Sequence, residues 1–288
     1  MRFESIVRES GKKIILSTTC MIVILGLFQP NNLAAQSFMQ SWSNDSQIGF
    51  EWYHPSFSGS SLSALTSVSF ISLDVPVGRN LRLKADLPLS YYNWTDDQDP
   101  GQLAAGDPYI GIEHRMKDPR FSIDLGIRLP LSERAFSFVD ENSVYYRFAA
   151  SDNQAWVLRA NLHYLRHLPS GFSFQFLFGS FAEISNASSR KTLWYLNYGA
   201  HMRYRHHQFL VGAGIKGIAS LTEPFSSSVW NGQHYQRNTS HQFYFEIGSP
   251  HPNWTPSLYL AFPFDDNVAG SEQLNFVLGL RANIHLPA

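Results

Sequence analysis

The stretch from Leu81 to Leu131 alternates apolar and polar side chains with a period of two residues. It reads LRLKADLPLSYY at its start and FSIDLGIRLPL at its end, with the motif GDPYIGIEHRM and the turn KDPR between them. Successive side chains of a strand point to opposite faces, so these strands have one apolar and one charged face. No amphipathic helix is predicted elsewhere to cover the apolar face, which favours lipid as its cover.

The N terminus has the features of an export signal. Four basic residues precede or open an apolar run at 14–28, and Ala34-Ala35 supplies the small residues that come before a cut. The pattern predicts a secretory signal peptide over residues 1–35, cleaved after Ala35. Cys20 is the only cysteine and would be removed with it. We therefore expect no disulfide and no thiolate chemistry in the mature chain.

Composition and charge narrow the class further. The formal net charge of the whole chain is −1, which argues against a nucleic-acid partner bound through its phosphates. The mean hydropathy is −0.19, so no helical membrane span is expected, whereas alternating strands average to such a value. The chain after residue 35 is long enough for one large all-β domain.

Twelve strands are predicted, joined alternately by short turns and long loops. The predicted segments are 46–57, 64–76, 81–94, 107–117, 120–132, 154–166, 171–184, 193–206, 208–220, 240–249, 256–265 and 272–286. Long polar loops lie around 95–106, 133–153, 185–192 and 221–239. The alternation changes phase near Phe70 and Ile71, which leaves the register of segment 64–76 open.

This pattern predicts an all-β fold consisting of a single transmembrane antiparallel up-and-down β-barrel of about twelve strands over residues 46–288. Residues 36–45 would form a short N-terminal segment that lies in the periplasm or plugs the lumen. Short turns at one rim and long loops at the other are typical of outer-membrane barrels. The alternative, a soluble β-sandwich, would require the signal peptide, the alternation of short turns with long loops and the spacing of the aromatic residues all to be coincidences.

Aromatic spacing also favours a membrane barrel. Trp194 and Tyr204 lie ten residues apart on one predicted strand, and Trp156 and Tyr164 lie eight apart on another. At about 3.3 Å per residue and a tilt of about 40°, ten residues rise roughly 25 Å, which is the height of the apolar band between two aromatic girdles. We expect location in the outer membrane of a Gram-negative bacterium, with outer-membrane lipid and the barrel assembly machinery as partners.

Charged residues and histidines occupy the predicted interior face. They are Glu51, Arg82, Lys84, Asp86, Glu113, Arg115, Asp124, Arg128, Arg159, His163, His201, Arg203, Lys216, Glu246 and Arg281. Facing lipid near the midplane, a charged side chain would cost about 2–4 kcal/mol, so the lumen is their expected location. They would either line a pore with a mild anion preference or form Arg–carboxylate pairs that fill the lumen.

Catalytic and metal sites are not predicted. An outer-membrane lipid hydrolase would need a serine and a histidine together on the lipid-facing side near the outer rim. His114 is the one histidine within a strand on a predicted outward face, and no outward serine pairs with it. His206 and His207 are adjacent, and adjacent strand residues point to opposite faces, which argues against a shared metal ion. No cofactor is expected.

One group of motifs resembles a known family. Leu87-Pro88 ends a strand, Gly106-Asp107-Pro108-Tyr109-Ile110-Gly111 follows a polar loop, and Leu129-Pro130-Leu131 ends the next strand. This arrangement is similar to outer-membrane barrels grouped as a transporter-like or "MetA-pathway of phenol degradation" family. Gly106, Asp107 and Pro108 would bring the chain from the loop back into a strand, and Gly111 would leave room in a tight lumen. The resemblance implies an envelope channel for small molecules.

The expected function is thus a channel or transporter-like protein that passes small solutes, hydrophobic or anionic, by diffusion. The predicted constriction is lined by Arg82, Glu113, Arg115, Arg159, His201, Arg203 and Arg281. The alternative is a closed structural or surface-recognition barrel that acts through its long loops, notably residues 132–153.

Overall fold

The computed structural model describes residues 46–58, 66–92, 102–131, 155–185, 192–222, 226–230, 233–237, 239–251, 253–263 and 273–286. Within these ranges the chain forms fifteen strands. No helix in them is long and apolar enough to cross a membrane. The predicted signal peptide, the segment 36–45 and the loop 132–153 lie outside the described residues.

The strands follow one another along the chain in the order of their numbers. They are β1 (Ser46–Ser58), β2 (Ser67–Pro76), β3 (Leu81–Tyr92), β4 (Gln102–Ala105), β5 (Tyr109–Arg115), β6 (Phe121–Arg128), β7 (Ala155–His167), β8 (Phe172–Ser185), β9 (Leu193–His206), β10 (Phe209–Ser220), β11 (Ser226–Trp230), β12 (Gln233–Arg237), β13 (Thr239–Gly248), β14 (Trp254–Pro263) and β15 (Gln273–Leu286).

Twelve of these strands close into an antiparallel barrel. Strand β1 pairs with both β2 and β15, and β2 pairs with β3. The remaining neighbours follow in the order β3-β5-β6-β7-β8-β9-β10-β13-β14-β15. Closure leaves no unpaired sheet edge. The predicted twelve-stranded, up-and-down barrel is confirmed.

Two predicted loops contain short strands that the sequence did not reveal. Strand β4 lies in the loop predicted at 95–106 and pairs with the end of β3. Strands β11 and β12 lie in the loop predicted at 221–239 and form a separate hairpin. We call the rim with these longer connections the loop end and the opposite rim, where β1 begins and β15 ends, the turn end.

The open register of β2 is resolved by the pairing with β1. Phe70 pairs with Glu51, and Val68 and Phe70 are fully buried in the interior, whereas Ile71 is 45% exposed on the outer face. The alternation therefore keeps one phase through the whole strand. The change of phase among the apolar residues arises because the interior near the loop end is itself apolar, so apolar residues there occupy both faces.

The outer face of the barrel is apolar. Large exposed side chains include leucines, isoleucines and phenylalanines on nearly every barrel strand. Four aromatic residues were predicted to belong to two girdles. Trp156, Trp194 and Tyr204 are exposed on this face, and Tyr164 lies on it half-buried. An apolar exterior of this extent is what a surrounding lipid phase requires.

Candidate functional site in the barrel interior

The charged residues predicted for the interior lie on the interior face. Buried among them are Glu51, Arg82, Glu113, Asp124, Arg128, His163, His201, Arg203, Lys216, Glu246 and Arg281. Lys84, Asp86, Arg115 and Arg159 belong to the same face and are partly exposed. Whether these residues line an open pore is a separate question, which depends on how their charges are paired.

One network of ion pairs follows the wall formed by β2, β3 and β5. Arg82 Nε lies 2.6 Å from Asp74 Oδ1 on the neighbouring strand. Lys84 Nζ lies 2.5 Å from Glu113 Oε2 and 3.4 Å from Asp124 Oδ2, the latter on β6. Buried charges are tolerated when they are paired in this way. These contacts pair Arg82 and Lys84 with carboxylates on the same wall.

A second network lies on the wall formed by β9, β13, β15 and β1. Arg203 Nη2 lies 2.6 Å from Glu246 Oε2, and Arg281 Nε lies 3.8 Å from Glu51 Oε2. Arg281 Nε also donates a hydrogen bond of 2.7 Å to the hydroxyl of Tyr53, which in turn donates to Glu51. The interior thus contains two networks of paired charges on separate walls.

Lys216 and Arg281 are also surrounded by tyrosine rings. The guanidinium carbon of Arg281 lies 4.2 Å from the ring centroid of Tyr259. Lys216 Nζ lies 4.9 Å from the same centroid and 5.5 Å from that of Tyr244. Such cation–π contacts stabilise a charge that is withdrawn from water.

The motif Gly106-Asp107-Pro108 forms a β-bulge. Leu89 pairs with Ala105 and Asp86 pairs with Tyr109, so three residues between β4 and β5 face two residues of β3. The motif was expected to lead from the loop into a strand. Instead it separates two strands, β4 and β5, which both pair with β3. The extra residue turns Asp107 into the interior, where it is fully buried.

The bulge positions Arg128. The carbonyl oxygen of Asp107 accepts a hydrogen bond of 2.6 Å from Arg128 Nη1, and Asp86 Oδ1 lies 3.0 Å from the same nitrogen. The carboxylate of Asp107 accepts from the backbone N–H of Leu131 at 2.8 Å. Arg128 is thus held against the wall at the loop end of β6.

Gly111 makes room for a tyrosine. A Cβ at Gly111, or at its neighbour Gly126 on β6, would overlap the phenol ring of Tyr109. The Tyr109 hydroxyl donates a hydrogen bond of 2.6 Å to Asp124 Oδ1. Gly111 therefore serves the close packing of the wall, and Tyr109 occupies the space it leaves.

Two interior histidines make no hydrogen bond to any of the described residues through either ring nitrogen. His163 and His201 are both buried and without such a partner, and the ring of His201 lies 5.2 Å from that of Tyr244. In the described part of the chain no three His, Cys, Asp or Glu residues come together in a way that could hold a metal ion.

The sequence did not reveal an apolar region of the interior near the loop end. Val157, Phe181, Tyr195 and Ile218 form a buried cluster there. The rings of Phe181 and Tyr195 stack with centroids 4.7 Å apart. Near the loop ends of the strands, apolar residues occupy both odd and even positions. This could have indicated an apolar interior, but a pattern without alternation does not show which face is the inner one.

His114 is not the only histidine on the outer face. His54 and His241 also lie on outward positions of their strands. His241 Nε2 lies 2.5 Å from the Tyr198 hydroxyl, and the two rings meet over Gly217. His54 Nδ1 lies 2.6 Å from the carbonyl oxygen of Thr66. The prediction of a single outward histidine was therefore wrong.

Known structures share the barrel architecture at low sequence identity. No protein-family model matches the chain, and no curated protein matches it. The COG4313 outer membrane channel from Pseudomonas putida F1 is 11% identical, with a TM-score of 0.55 over 88% of this chain and 100% of that one. The chain has the fold of an outer-membrane β-barrel. At this identity the likeness establishes the fold alone.

More distant similarities add nothing to that conclusion. The NanC porin is 9% identical with a TM-score of 0.49, over 84% of this chain and 100% of that one. LpxR from Salmonella typhimurium is 8% identical with a TM-score of 0.45, over 83% of this chain and 100% of that one.

Proposed function

We propose that the chain is an outer-membrane channel that passes small solutes by diffusion through its polar interior. The observation that carries this proposal is the direction of the interior ion pairs. Each pair given above joins strands that are adjacent or separated by one strand. Such pairs run along the wall and leave the barrel axis uncrossed, as a conducting path requires.

The constriction of this path is formed by Arg82, Glu113, Arg115, Arg159, His201, Arg203 and Arg281. Most of these charges are balanced by neighbours on their own wall, so the surplus positive charge is small. The path then has a mild preference for anions, which arises chiefly from Arg159 because it lacks a carboxylate partner within 4.0 Å among the described residues.

The proposal includes a location for the protein in the outer membrane. The chain is exported by the signal peptide at 1–35, delivered to the barrel assembly machinery and inserted into outer-membrane lipid of a Gram-negative cell. Membership of the transporter-like or phenol-degradation family rests on the Gly106–Gly111 motif and is part of the proposal. Catalysis is not part of it.

Single-channel conductance in a planar bilayer tests the channel. We expect refolded protein to give discrete current steps with anion preference, and Arg159→Ala to lower that preference. Arg79→Ala, in an exposed turn, is the matched control and should leave it unchanged. Protein that is folded by heat-modifiable gel mobility and yet gives no steps would contradict the proposal.

The second candidate is a closed barrel that acts through its loops. The observation in its favour is the complete burial of interior side chains such as Tyr53 and Phe70 near the loop end. This candidate predicts that folded protein conducts no current, and that replacing the interior arginines does not create a current.

A further inference from the structure

A basic patch lies at the turn end of β6 and β7. Lys117 and Arg120 belong to the turn between β5 and β6, and Arg166 lies on β7, two residues beyond Tyr164. All three cations are exposed. Asp118, in the same turn, is the one carboxylate among them, so the patch carries a surplus of positive charge.

Backbone pairing between β6 and β7 brings these cations together. Phe121 pairs with Tyr164, and the N–H of Leu165 donates a hydrogen bond of 2.8 Å to the carbonyl oxygen of Arg120. The turn therefore lies beside the end of β7, where Arg166 follows Leu165 along the chain. The patch depends on this pairing and belongs to a regular part of the barrel.

The patch borders the lipid-facing surface. Arg166 occupies an outward position of β7, and its cross-strand neighbour is Phe174. Arg120 reaches the same surface, because its side chain hydrogen-bonds to that of Tyr164. The Tyr164 ring centroid lies 6.0 Å from that of Phe176, which is 51% exposed. Cations that lie just beyond outward aromatic residues are at the depth of lipid headgroups.

Two cations of the patch have no carboxylate partner in the described part of the chain. Arg120 Nη2 lies 2.6 Å from Asp118 Oδ2. Lys117 and Arg166, in contrast, have no carboxylate oxygen within 4.0 Å among the described residues. Their charges can therefore attract an anion from outside the chain.

The positive charge is not spread evenly around the turn end. Among the described residues, no lysine or arginine occurs in the turn-end segments of β1, β13, β14 and β15, which are 46–49, 247–251, 253–258 and 282–286. The outer face there carries apolar side chains such as Ile247, which is 59% exposed. A belt that only anchored the barrel would surround it, so a cluster on one side favours the binding of a particular ligand.

We propose that the basic patch binds the headgroup of an anionic phospholipid in the membrane leaflet at the turn end. The phosphate contacts Lys117 and Arg166, with Arg120 beside it. An acyl chain of the same lipid lies along Phe174 and Phe176. The patch adjoins the membrane-facing side of β7 and β8, which favours a lipid over an acidic protein. The inference goes beyond the channel proposal and requires only that the barrel lie in a membrane.

Native mass spectrometry of the refolded barrel in detergent micelles tests the site. Phosphatidylglycerol and phosphatidylcholine with identical acyl chains are titrated separately, so that the headgroup is the only difference. A basic residue near the membrane surface strengthens the binding of an anionic lipid about fivefold. Since the patch has more than one such residue, we expect the first phosphatidylglycerol to bind at least about tenfold more tightly than the first phosphatidylcholine.

Three variants and one control examine the residues. Lys117→Gln and Arg166→Gln should each weaken phosphatidylglycerol about fivefold and leave phosphatidylcholine unchanged. Asp118→Asn removes the carboxylate of the patch and should strengthen phosphatidylglycerol, an effect that damage to the fold would not produce. Arg237→Gln removes the same charge from β12 in the loop-end hairpin and should change nothing.

Several outcomes would overturn the inference. Equal binding of the two lipids by folded protein removes the preference for an anionic headgroup. Equal losses in Arg237→Gln and Arg166→Gln would mean that the charge of the whole barrel, and not the patch, attracts the lipid. Saturable binding of polyglutamate without a preference between the two lipids would identify an acidic polypeptide as the ligand instead. A barrel that shows the lipid preference but conducts no current contradicts the channel proposal and supports this inference.

Discussion

The ion pair Arg203–Glu246 allows the access of water to the barrel interior to be tested by measurement. Its N···O distance is 2.6 Å, and its side chains are 8% and 5% exposed. The exposed pair Arg120–Asp118 in the turn between β5 and β6 has the same distance, but its side chains are 51% and 37% exposed. The two pairs therefore differ mainly in their access to water.

Replacing Arg203 by methionine should lower the free energy of unfolding by about 3–5 kcal/mol, because it leaves the carboxylate of Glu246 uncompensated in a low-dielectric wall. Replacing both residues, as in Arg203→Met with Glu246→Leu, should bring the free energy of unfolding back to within about 1 kcal/mol of the original. The single change Arg120→Met in the exposed turn should have a far smaller effect, because water screens that pair.

Urea titration of the barrel in lipid vesicles, followed by tryptophan fluorescence, measures these differences. The slope of the transition must stay constant for the comparison to hold. A loss of less than about 1 kcal/mol for Arg203→Met, or an equal loss for the single and double variants, would show that water reaches the pair and would refute the reasoning from burial.

Further predictions concern the wall, the turn and the N terminus. Gly126→Ala should lower the free energy of unfolding by about 1–3 kcal/mol, because the added methyl overlaps the Tyr109 ring and a packed wall tolerates overpacking poorly; urea titration measures it, and an unchanged midpoint would contradict it. Arg120 beside Asp118 holds the pKa of that carboxyl below its usual range, so the contact supports the turn at neutral pH and is lost as the pH falls through that pKa; carbon NMR should show the pKa rise in Arg120→Gln, and an unmoved pKa would count against the contact. Mature protein recovered from outer membranes should begin at Gln36 by N-terminal sequencing, and an intact residue 1 would disprove cleavage.

The twelve barrel strands were predictable because each has its own local signal. Residues such as Leu83 and Lys84 alternate between lipid and lumen, and the cost of misplacing a charge keeps that register fixed. The interior placement of Arg82, Glu113 and Arg203 followed from the same parity. The position of a barrel strand and the face on which each residue lies depend on neighbouring residues in the chain, so both can be predicted without knowing the partner strand.

The partners of the interior charges were not predictable. Arg203 and Glu246 are separated by 43 positions, and Arg281 and Tyr53 by 228. Such pairs depend on the stagger between strands that lie far apart in the chain, which local alternation does not specify. The apolar cluster escaped notice for a different reason, because Ile218 and Val157 resemble lipid-facing residues in type.

The seam between β1 and β15 sets a condition on how the chain can be assembled. The two strands pair from Ser46 with Leu286 to Ser58 with Gln273, so a ladder 13 residues long on β1 depends on the strand that is made last among the fifteen described. Until that strand arrives, both edges present unmet hydrogen-bonding groups, which are costly in lipid. Bringing such distant segments together also carries the entropy of closing a very long loop. The seam therefore closes only after β15 has joined β1, which makes closure of the ring a late step of assembly.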